Sequence, residues 1–387
     1  MSLTYPRLSA LALAIISCHS HAAATLVSEM SHLNVGTAGA GSAVSADGAS
    51  TAYSNPAAMG YLKDTHLAFN LASMALNIEY QDDREQALSS GNAGGIQPYG
   101  SLYALTPLSE NINFGMAMVA TGGSGLDYGN SYAGRLGLND LQLSVLQLNP
   151  SLSYKVNARW NLGVGVQIDR AAFEQRFLSQ RAALESTSLA FGYNLGATYQ
   201  LNQQHRFGVT YRSKMEHQLE GELSLLNRQM DMTIDLINAA RLELSGHHQL
   251  TPPIALVWSV GQEYWSANDA SLVQAGNIEG TMVRGFDDIW FAAIGSKIEL
   301  TPKLGIEMGV GYVSSPLDDA TLQSPDLPVE RQLKYSIGGD YQWSTSTTIK
   351  TYYSYVDYGN PEIDNGLLQG RYDNHNHFFG LELDYRF

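Results

Sequence analysis

Four short stretches are the places where this sequence could carry out chemistry. The GGSG stretch at 122–125 lacks the Gly-x-Ser-x-Gly spacing that exposes a hydrolase nucleophile. The GAG at 39–41 belongs to no GxGxxG sequence and follows no strand, which excludes a dinucleotide loop. The neighbours His247 and His248, and the pair His375 and His377, are residue types that bind metals, but loop histidines are usually solvated. The sequence therefore predicts no enzyme, no cofactor and no metal site.

The first 24 residues have the layout of a secretory signal peptide. Arg7 lies before a short apolar core at 8–16, and small residues allow cleavage after either Ala22 or Ala24. The apolar core is far shorter than the roughly 20 residues that a membrane-spanning helix needs. The only cysteine, Cys18, lies within this segment and follows Ile-Ile-Ser, a poor lipidation sequence. The mature chain is then free of cysteine, which excludes disulfides and thiolate metal sites.

Charge and hydropathy narrow the class of an exported chain. The formal net charge is -15, which argues against a nucleic-acid partner because phosphate backbones need a basic surface. Hydrophobic residues make up 44% of the chain, yet the mean hydropathy is only -0.15. Such a protein is either soluble in the periplasm or a β-barrel, in which lipid-facing and lumen-facing residues alternate.

Residue alternation favours the barrel. The C-terminal HFFGLELDYRF places apolar and aromatic residues on one face and charged residues on the other, up to the last residue. Similar runs of about 10 residues, the length of a tilted membrane-crossing strand, occur at 160–169, 304–312 and 333–343. A terminal Phe is also typical of outer-membrane barrels.

Turns and loops alternate in length between these runs. We predict short turns at 106–111, 156–159, 202–205, 262–268, 301–303 and 344–348. We predict long loops at 82–95, 122–138, 178–183, 222–240, 278–287, 314–330 and 359–373. This pattern predicts an all-β, antiparallel transmembrane barrel of about 14 strands with both ends on the short-turn side. The stretch 242–260 contains Pro252 and Pro253, so we expect a bend and possible break of a strand there.

The first strand, at 65–80, changes phase. Leu67, Phe69 and Leu71 share odd parity, whereas the apolar residues from Met74 onward share even parity. The shift indicates either a bulge near Ser73 or a bent strand end.

Residues 25–62 do not alternate, and they precede the first strand. Gly, Ala and Ser predominate, which lets a backbone pack closely against a wall of side chains. In this segment Asn55 can cap a helical turn, Pro56 fits its first position and Gly60 can end it. We therefore predict three parts: a signal peptide at 1–24, a plug or hatch inside the lumen at 25–62, and the barrel at 63–387. A disordered periplasmic tail is the alternative for the second part.

The chain resembles the FadL-like outer-membrane transporters of long-chain fatty acids and other hydrophobic compounds, which include toluene-transport relatives. The resemblance rests first on GTAGAGSAVSADGASTAYSNPAAMG at 36–60, with the hatch motif Asn55, Pro56 and Ala57. Further matches are Gly134-Arg135 followed by the strand at 148–154, LPVER at 327–331 before the strand ending at Tyr341, and the final YRF. Val329-Glu330 departs from the family, which often carries a more acidic sequence there.

The resemblance implies a monomer in the Gram-negative outer membrane that takes up long-chain fatty acids passively. Ligand would be captured at extracellular loops, pass to a lumen pocket, and leave sideways after the hatch rearranges. The third strand, near 111–121, would then kink inward, with Gly115, Gly122 and Gly123 as the gate; glycines near a strand end are equally turn residues. Uptake of aromatic hydrocarbons by the same fold, or a general porin with an open bore, are the alternatives.

One loop holds a candidate capture site. Eight apolar residues would be a liability if they were exposed, unless they bind a ligand or fold over one another across the barrel mouth. They are Leu223, Leu225, Leu226, Met230, Met232, Ile234, Leu236 and Ile237. The implied partners are a hydrophobic small molecule, membrane lipid and lipopolysaccharide, and the acidic loop residues Asp318, Asp319 and Asp326 could share divalent ions with the last of these.

Overall fold

Fourteen long strands form the wall of the structure. The computed structural model describes residues 28–31, 34–84, 91–225 and 228–387, so the predicted signal peptide lies outside the described residues. The wall strands are β1 His66–Asp82, β3 Gly95–Pro107, β4 Ile112–Asp127, β5 Asp140–Lys155, β6 Trp160–Phe177, β7 Ala182–Gln200, β8 His205–Arg212, β11 Arg241–Thr251, β12 Ile254–Glu263, β15 Ile289–Thr301, β16 Leu304–Val313, β17 Gln332–Gln342, β18 Thr347–Asp357 and β20 Gln369–Arg386.

Short elements complete the described chain. Six further strands are β2 Gly91–Asn92, β9 Met215–Leu225, β10 Arg228–Asn238, β13 Ala270–Ala275, β14 Ile278–Val283 and β19 Glu362–Asp364. The helical turns are η1 Ser28–Ser31, η2 Val35–Thr37, α1 Thr51–Ser54, η3 Pro56–Tyr61 and η4 Trp265–Asn268. None of the helices in the described ranges is long and apolar enough to cross a membrane.

The first and last wall strands close the sheet. β1 pairs antiparallel with β20 from His66↔Arg386 to Asp82↔Gly370, and with β3 on its other side. Each remaining wall strand pairs antiparallel with the next wall strand along the chain. The predicted fold class, an antiparallel barrel of 14 strands, is therefore confirmed. Closure pairs the backbone N–H and C=O groups that an open sheet edge would leave without partners in lipid.

The outer face of the wall is apolar. On β20, Phe379, Leu381 and Leu383 are between 45% and 52% exposed. Glu382 and Asp384, at the alternate positions, are buried in the interior. The alternation predicted from the sequence thus separates a lipid-facing surface from a polar lumen. Exposed aromatic residues cluster near the short-turn end, as an interfacial girdle requires: Tyr154, Trp160, Tyr341, Trp343, Tyr385 and Phe387.

Two predicted connections are wrong. The stretch 262–268 is not a short turn, because the short turn lies at Pro252-Pro253, between β11 and β12. The break expected at the two prolines is therefore confirmed. Proline has no N–H for the ladder, so it marks the point where pairing stops. The stretch 178–183 is not a long loop, because β6 and β7 continue to Phe177 and from Ala182 and are joined by a tight turn.

The predicted bulge in β1 is also wrong. Both registers run without a shift past Ser73, and residues of even parity face inward along the whole strand. Leu67, Phe69 and Leu71 face lipid, whereas Met74 and the later even residues face an apolar interior. The apolar residues of β1 shift from odd to even positions because the lumen, which the even positions face, is polar near the termini and apolar at the other end.

Candidate functional site

Residues 34–62, called the inner segment below, contact inward-facing side chains on separate parts of the wall. The Gly41 N–H donates to Ser259 Oγ on β12 at 2.9 Å. The Ala49 N–H donates to Asp384 Oδ2 on β20, also at 2.9 Å. Four wall strands lie between β12 and β20 on one side of the ring, so the inner segment crosses the lumen.

The Asn-Pro-Ala motif is the most enclosed part of the inner segment. Asn55 is fully buried, and its Oδ1 accepts a hydrogen bond from the Ala57 N–H at 3.0 Å, which caps η3 with Pro56 at the first helical position. Its Nδ2 donates to the Ala43 carbonyl at 2.6 Å and to the Val209 carbonyl of β8 at 3.2 Å. One side chain therefore caps a turn, closes the inner segment on itself and attaches it to the wall.

Glycines on the wall make room for this motif. A methyl group added to Gly196 of β7 would overlap Asn55 Oδ1, and one added to Gly163 of β6 would overlap the Ala57 backbone. Small residues are thus needed on both sides of the contact. Only the small residues of the inner segment form a continuous run in the sequence; those of the wall are single glycines within strands.

Charged residues surround the base of the inner segment, at the end of the barrel that carries the termini. Lys297 of β15 forms an ion pair with Asp47, and Lys350 of β18 donates to the Asp47 carbonyl at 3.0 Å. Lys350 also pairs with Glu382 at 2.9 Å. Asp47, Lys297 and Lys350 border an open cavity of about 460 Å³.

A buried polar network lies where the inner segment meets the middle of the lumen. The Arg212 guanidinium lies 4.1 Å from the Tyr53 ring centroid and donates to the Tyr53 carbonyl at 3.0 Å. It also donates to Gln147, whose Nε2 donates to Asp169 at 2.6 Å; Asp169 lies 3.6 Å from His217. Within the described residues, the hydrogen-bond partners of Arg212 are an amide and a carbonyl, not a carboxylate. A cavity of about 90 Å³ borders the network.

The wall has a seam between β3 and β4. The two strands pair from Pro107↔Asn113 up to Ser101↔Val119, and above this point residues 95–100 pair with β1 but form no ladder with β4. The register between β4 and β5 shifts between Ala120 and Gly122, so one extra residue bends β4 at the height where the seam begins.

Two side chains cover the seam from inside. Gln97 of β3 reaches across and donates to the Gly125 carbonyl of β4 at 3.4 Å. Met30 of η1 is buried, and its Cε lies 2.7 Å from the position that a Cβ of Gly123 would occupy. The predicted gate residue Gly122 lies at the bulge and Gly123 lies behind Met30.

The third predicted gate residue has a different surrounding. Gly115 lies lower on β4, where β3 and β4 are still paired, and packs against Met59 and Ala52 of the inner segment. The structure therefore brings two of the three glycines to the seam and places the third against the inner segment.

Most of the apolar residues of the predicted capture site are buried. They lie on the hairpin of β9 and β10, which continues the wall by pairing with β7. Leu223, Leu225, Met232, Ile234 and Leu236 are at most 6% exposed, because they pack with residues of β4–β7 and the neighbouring loops in one cluster. Met230 and Ile237 are half-buried, and Leu226 lies outside the described residues. The residues cover one another across the barrel mouth.

Tyr128, Tyr132 and Tyr372 belong to the same cluster, which together with the β9–β10 hairpin is called the cap below. Tyr128 and Tyr132 stack with ring centroids 4.2 Å apart, and Tyr132 and Tyr372 share a hydroxyl hydrogen bond of 2.7 Å. Burial raises the pKa of Tyr128 and of Tyr132 well above the ordinary value of 10.0. The phenols therefore remain neutral at physiological pH, and the cap over the lumen stays uncharged here.

Comparison with known proteins identifies the architecture. Residues 13–387 match the family described as outer membrane protein transport protein (OMPP1/FadL/TodX). The chain belongs to this family. It is 22% identical to the long-chain fatty acid transport protein of Salmonella typhi, over 98% of this chain and 97% of the relative. The family is one of outer-membrane transporters of hydrophobic compounds.

Solved structures share the fold. A crystal structure of a Pseudomonas aeruginosa FadL homologue superposes with a TM-score of 0.83 at 19% identity, covering 91% of this chain and 97% of the other. The toluene transporter TodX of P. putida superposes with a TM-score of 0.73 at 16% identity, covering 91% and 97%.

Sequence reasoning missed the polar residues that this OMPP1/FadL/TodX-family barrel turns toward its lumen. Arg212, Lys297 and Lys350 each lie on a wall strand at the parity opposite to the lipid-facing residues. In a barrel, charged residues are destabilising on the lipid face, so charged residues within spanning strands are expected to face the polar lumen. These three residues could have been found from the sequence by determining, for each strand, which alternate positions face the lumen.

Proposed function

We propose that this transporter takes up long-chain fatty acids passively, and that ligand leaves the lumen sideways through the seam between β3 and β4. The observation that carries the proposal is the end of pairing at Ser101↔Val119, beside the bulge at Gly122. A wall that stays unpaired over several residues can part without breaking backbone hydrogen bonds.

The filled lumen supports a sideways route. The inner segment spans the bore and is anchored at Asn55 and Asp47, so a straight aqueous path would require it to move. This contact argues against a general porin, whose bore stays open. An acyl chain gains about 0.8 kcal/mol per buried methylene, so an apolar exit toward lipid suits it better than a watery pore.

Arg212 supports a fatty acid over a neutral ligand. It is a buried guanidinium beside a cavity, and its hydrogen-bond partners among the described residues are neutral. A carboxylate head group would provide the charged, bidentate partner that guanidinium prefers. The cluster of β9 and β10, with Leu223, Ile234 and Leu236, then serves as the capture surface once the cap opens.

Uptake of aromatic hydrocarbons is the second candidate. The stacked Tyr128 and Tyr132 in the cap favour it, because flat rings pack well against other rings. A neutral hydrocarbon needs no partner for Arg212, so the two candidates differ in their dependence on that residue.

A disulfide across the seam tests the proposal. The single cysteine, Cys18, lies in the predicted signal peptide. The double variant Gln97→Cys with Gly125→Cys can therefore be oxidised to link β3 to β4, at a place where the Gln97 side chain donates to the Gly125 carbonyl. Oxidation should abolish uptake of radiolabelled oleate by cells, and a reductant should restore it.

The matched control joins the same strands where they are already paired. The variant Ser101→Cys with Val119→Cys links two register partners, so oxidation should leave oleate uptake unchanged. Unimpaired uptake through a fully oxidised Gln97–Gly125 link would refute exit through the seam.

A further inference from the structure

A third cavity lies among the extracellular loops, away from the lumen network. It measures about 190 Å³ and is bordered by the segment after β14, the loop between β16 and β17, and the turn before β20. Its apolar lining is Met282, Phe286, Leu317, Leu322, Leu327 and Leu367. The cavity is smaller than the roughly 300 Å³ at which pockets begin to hold drug-sized ligands, so it suits a small molecule or the end of a longer one.

One charged side chain lines this cavity, which is also bordered by the polar residues Thr321, Gln323, Ser324 and Asn365. Arg284 is only 4% exposed, and its Nε and Nη2 have no hydrogen-bond partner within the described residues. These two nitrogens form the edge of guanidinium that binds a carboxylate through two parallel hydrogen bonds. Burial lowers the pKa of Arg284 from its ordinary value while the charge of Asp326 opposes that change, and an arginine remains charged at neutral pH.

The one acidic neighbour leaves Arg284 incompletely paired. Asp326 Oδ2 lies 3.9 Å from Arg284 Nη1, beyond hydrogen-bond distance, and Asp326 Oδ1 already accepts from Ser324. Asp326 is 3% exposed, so its carboxylate lies in the interior of the loops and not on the loop surface. A buried cation with free donors is costly, and a ligand that supplies acceptors removes that cost.

The surrounding backbone holds Arg284 in place. The Arg284 and Gly285 N–H groups both donate to the Asp269 carbonyl, at 2.6 and 3.2 Å. Gly285 has a φ of 65° and no room for a side chain beside Leu322. The opposite loop is fixed by Tyr128, whose hydroxyl donates to the Pro325 carbonyl at 2.8 Å. The cavity is therefore preformed.

We propose that Arg284 and this cavity form an extracellular binding site for the carboxylate of an amphipathic acid, separate from the lumen and from the β9–β10 cluster. The carboxylate occupies the Nε–Nη2 edge, and the first carbons of the apolar body pack on the leucine and phenylalanine side chains. The inference rests on the proposed uptake of acids for its biological role, but binding at the site is measurable without transport.

Calorimetric titration of the full-length barrel in lipid nanodiscs tests the site. The probes are octanoate and 3-phenylpropanoate, which separate aliphatic from aromatic acids, and octan-1-ol as the neutral comparison. Arg284→Met should weaken binding of at least one acid by about 10- to 100-fold and change octan-1-ol binding by less than about twofold. Arg371→Met, which removes an exposed arginine on the same side of the barrel, should change neither.

Variants of Asp326 keep the test decisive if Arg284→Met fails to fold. Asp326→Asn removes the competing carboxylate and should tighten acid binding by up to about tenfold. The double variant Arg284→Met with Asp326→Asn removes both buried charges and should lose that gain. Acid affinities unchanged in folded Arg284→Met, or in both Asp326→Asn and the double variant, would overturn the site. The seam cross-link reports on transport alone, so failure of one proposal is distinguishable from failure of the other.

Discussion

Arg212 of β8 holds Tyr53 of the inner segment both through its ring and through its carbonyl, at 4.1 Å and 3.0 Å. The wall and the chain that fills it are thus joined by a charged side chain buried in the lumen. Such a contact stabilises one position of the inner segment, and its loss should release that segment without opening the wall.

Replacing Arg212 tests this role. Arg212→Met removes a cation–π contact and charged hydrogen bonds, together worth about 2 to 4 kcal/mol, so leakage of small hydrophilic solutes into liposomes should rise. Arg159→Met, at an exposed turn, is the control and should leave leakage unchanged. If Arg212→Met folds and remains as tight as the parent, this contact does not hold the inner segment.

Gly196 tests the fit between wall and motif. Gly196→Ala places a methyl group where Asn55 Oδ1 lies, so the Asn-Pro-Ala turn must move and single-channel conductance should increase. Strands tolerate alanine, so the barrel itself should still fold. Gly95→Ala, where the nearest atom to a new Cβ is 3.9 Å away, should have no effect; equal conductance in the two variants would contradict the fit.

We expect Lys297 and Lys350, at the base of the inner segment, to slow its local opening. Lys297→Met with Lys350→Met removes the ion pair to Asp47 and the hydrogen bond to its carbonyl. Amide hydrogen exchange at 45–50 should accelerate by about tenfold, equivalent to about 1.4 kcal/mol. Lys303→Met, on an exposed turn, is the control. Exchange that stays slow in the double variant would show that packing alone holds this stretch.

Alkaline pH should destabilise the extracellular cap. Because burial raises the pKa of Tyr132 well above 10.0, its contribution to stability is complete below pH 10 and is lost as the pH rises above it. Near-UV circular dichroism should report a cap that is insensitive to pH below 10 and unfolds above. Above pH 10, the unfolding free energy should fall as the pH rises, and Tyr132→Phe should reduce the steepness of that fall by about 1.4 kcal/mol per pH unit, the contribution of one titrating group. An unchanged slope would assign the effect to other groups.

Variants in the β9–β10 cluster can distinguish whether it only covers the barrel mouth or also captures ligand. Ile234→Ala, at a fully buried position, should destabilise the hairpin by about 2 to 5 kcal/mol and speed its digestion by protease. The half-buried Ile237→Ala should have a smaller effect. If the cluster also captures ligand, Ile234→Ala lowers oleate uptake at low concentration and saturating oleate restores it; a uniform loss at all concentrations would indicate a folding defect only.

The sequence by itself predicted the barrel, and the comparisons confirm that fold. Alternation at positions such as Phe379 and Glu382, continued up to the last residue, favours a sheet with lipid on one side and a polar interior on the other. The Asn55-Pro56 order also specifies a local cap, which needs no distant residue. Local chemistry and periodicity are encoded in neighbouring residues, so they are readable without the fold.

The tertiary structure decided everything that depends on which strands meet and at what height. The phase change in β1 looked like a bulge, but only the unbroken register shows that the lumen turns apolar above Ser73. Arg284 and Asp326, on different loops, become a pair, and Arg212 comes to Tyr53, through closure of a ring whose register no local pattern fixes. A one-residue change in that register would reverse every inward and outward side chain, which is why these contacts could not be predicted from the sequence alone.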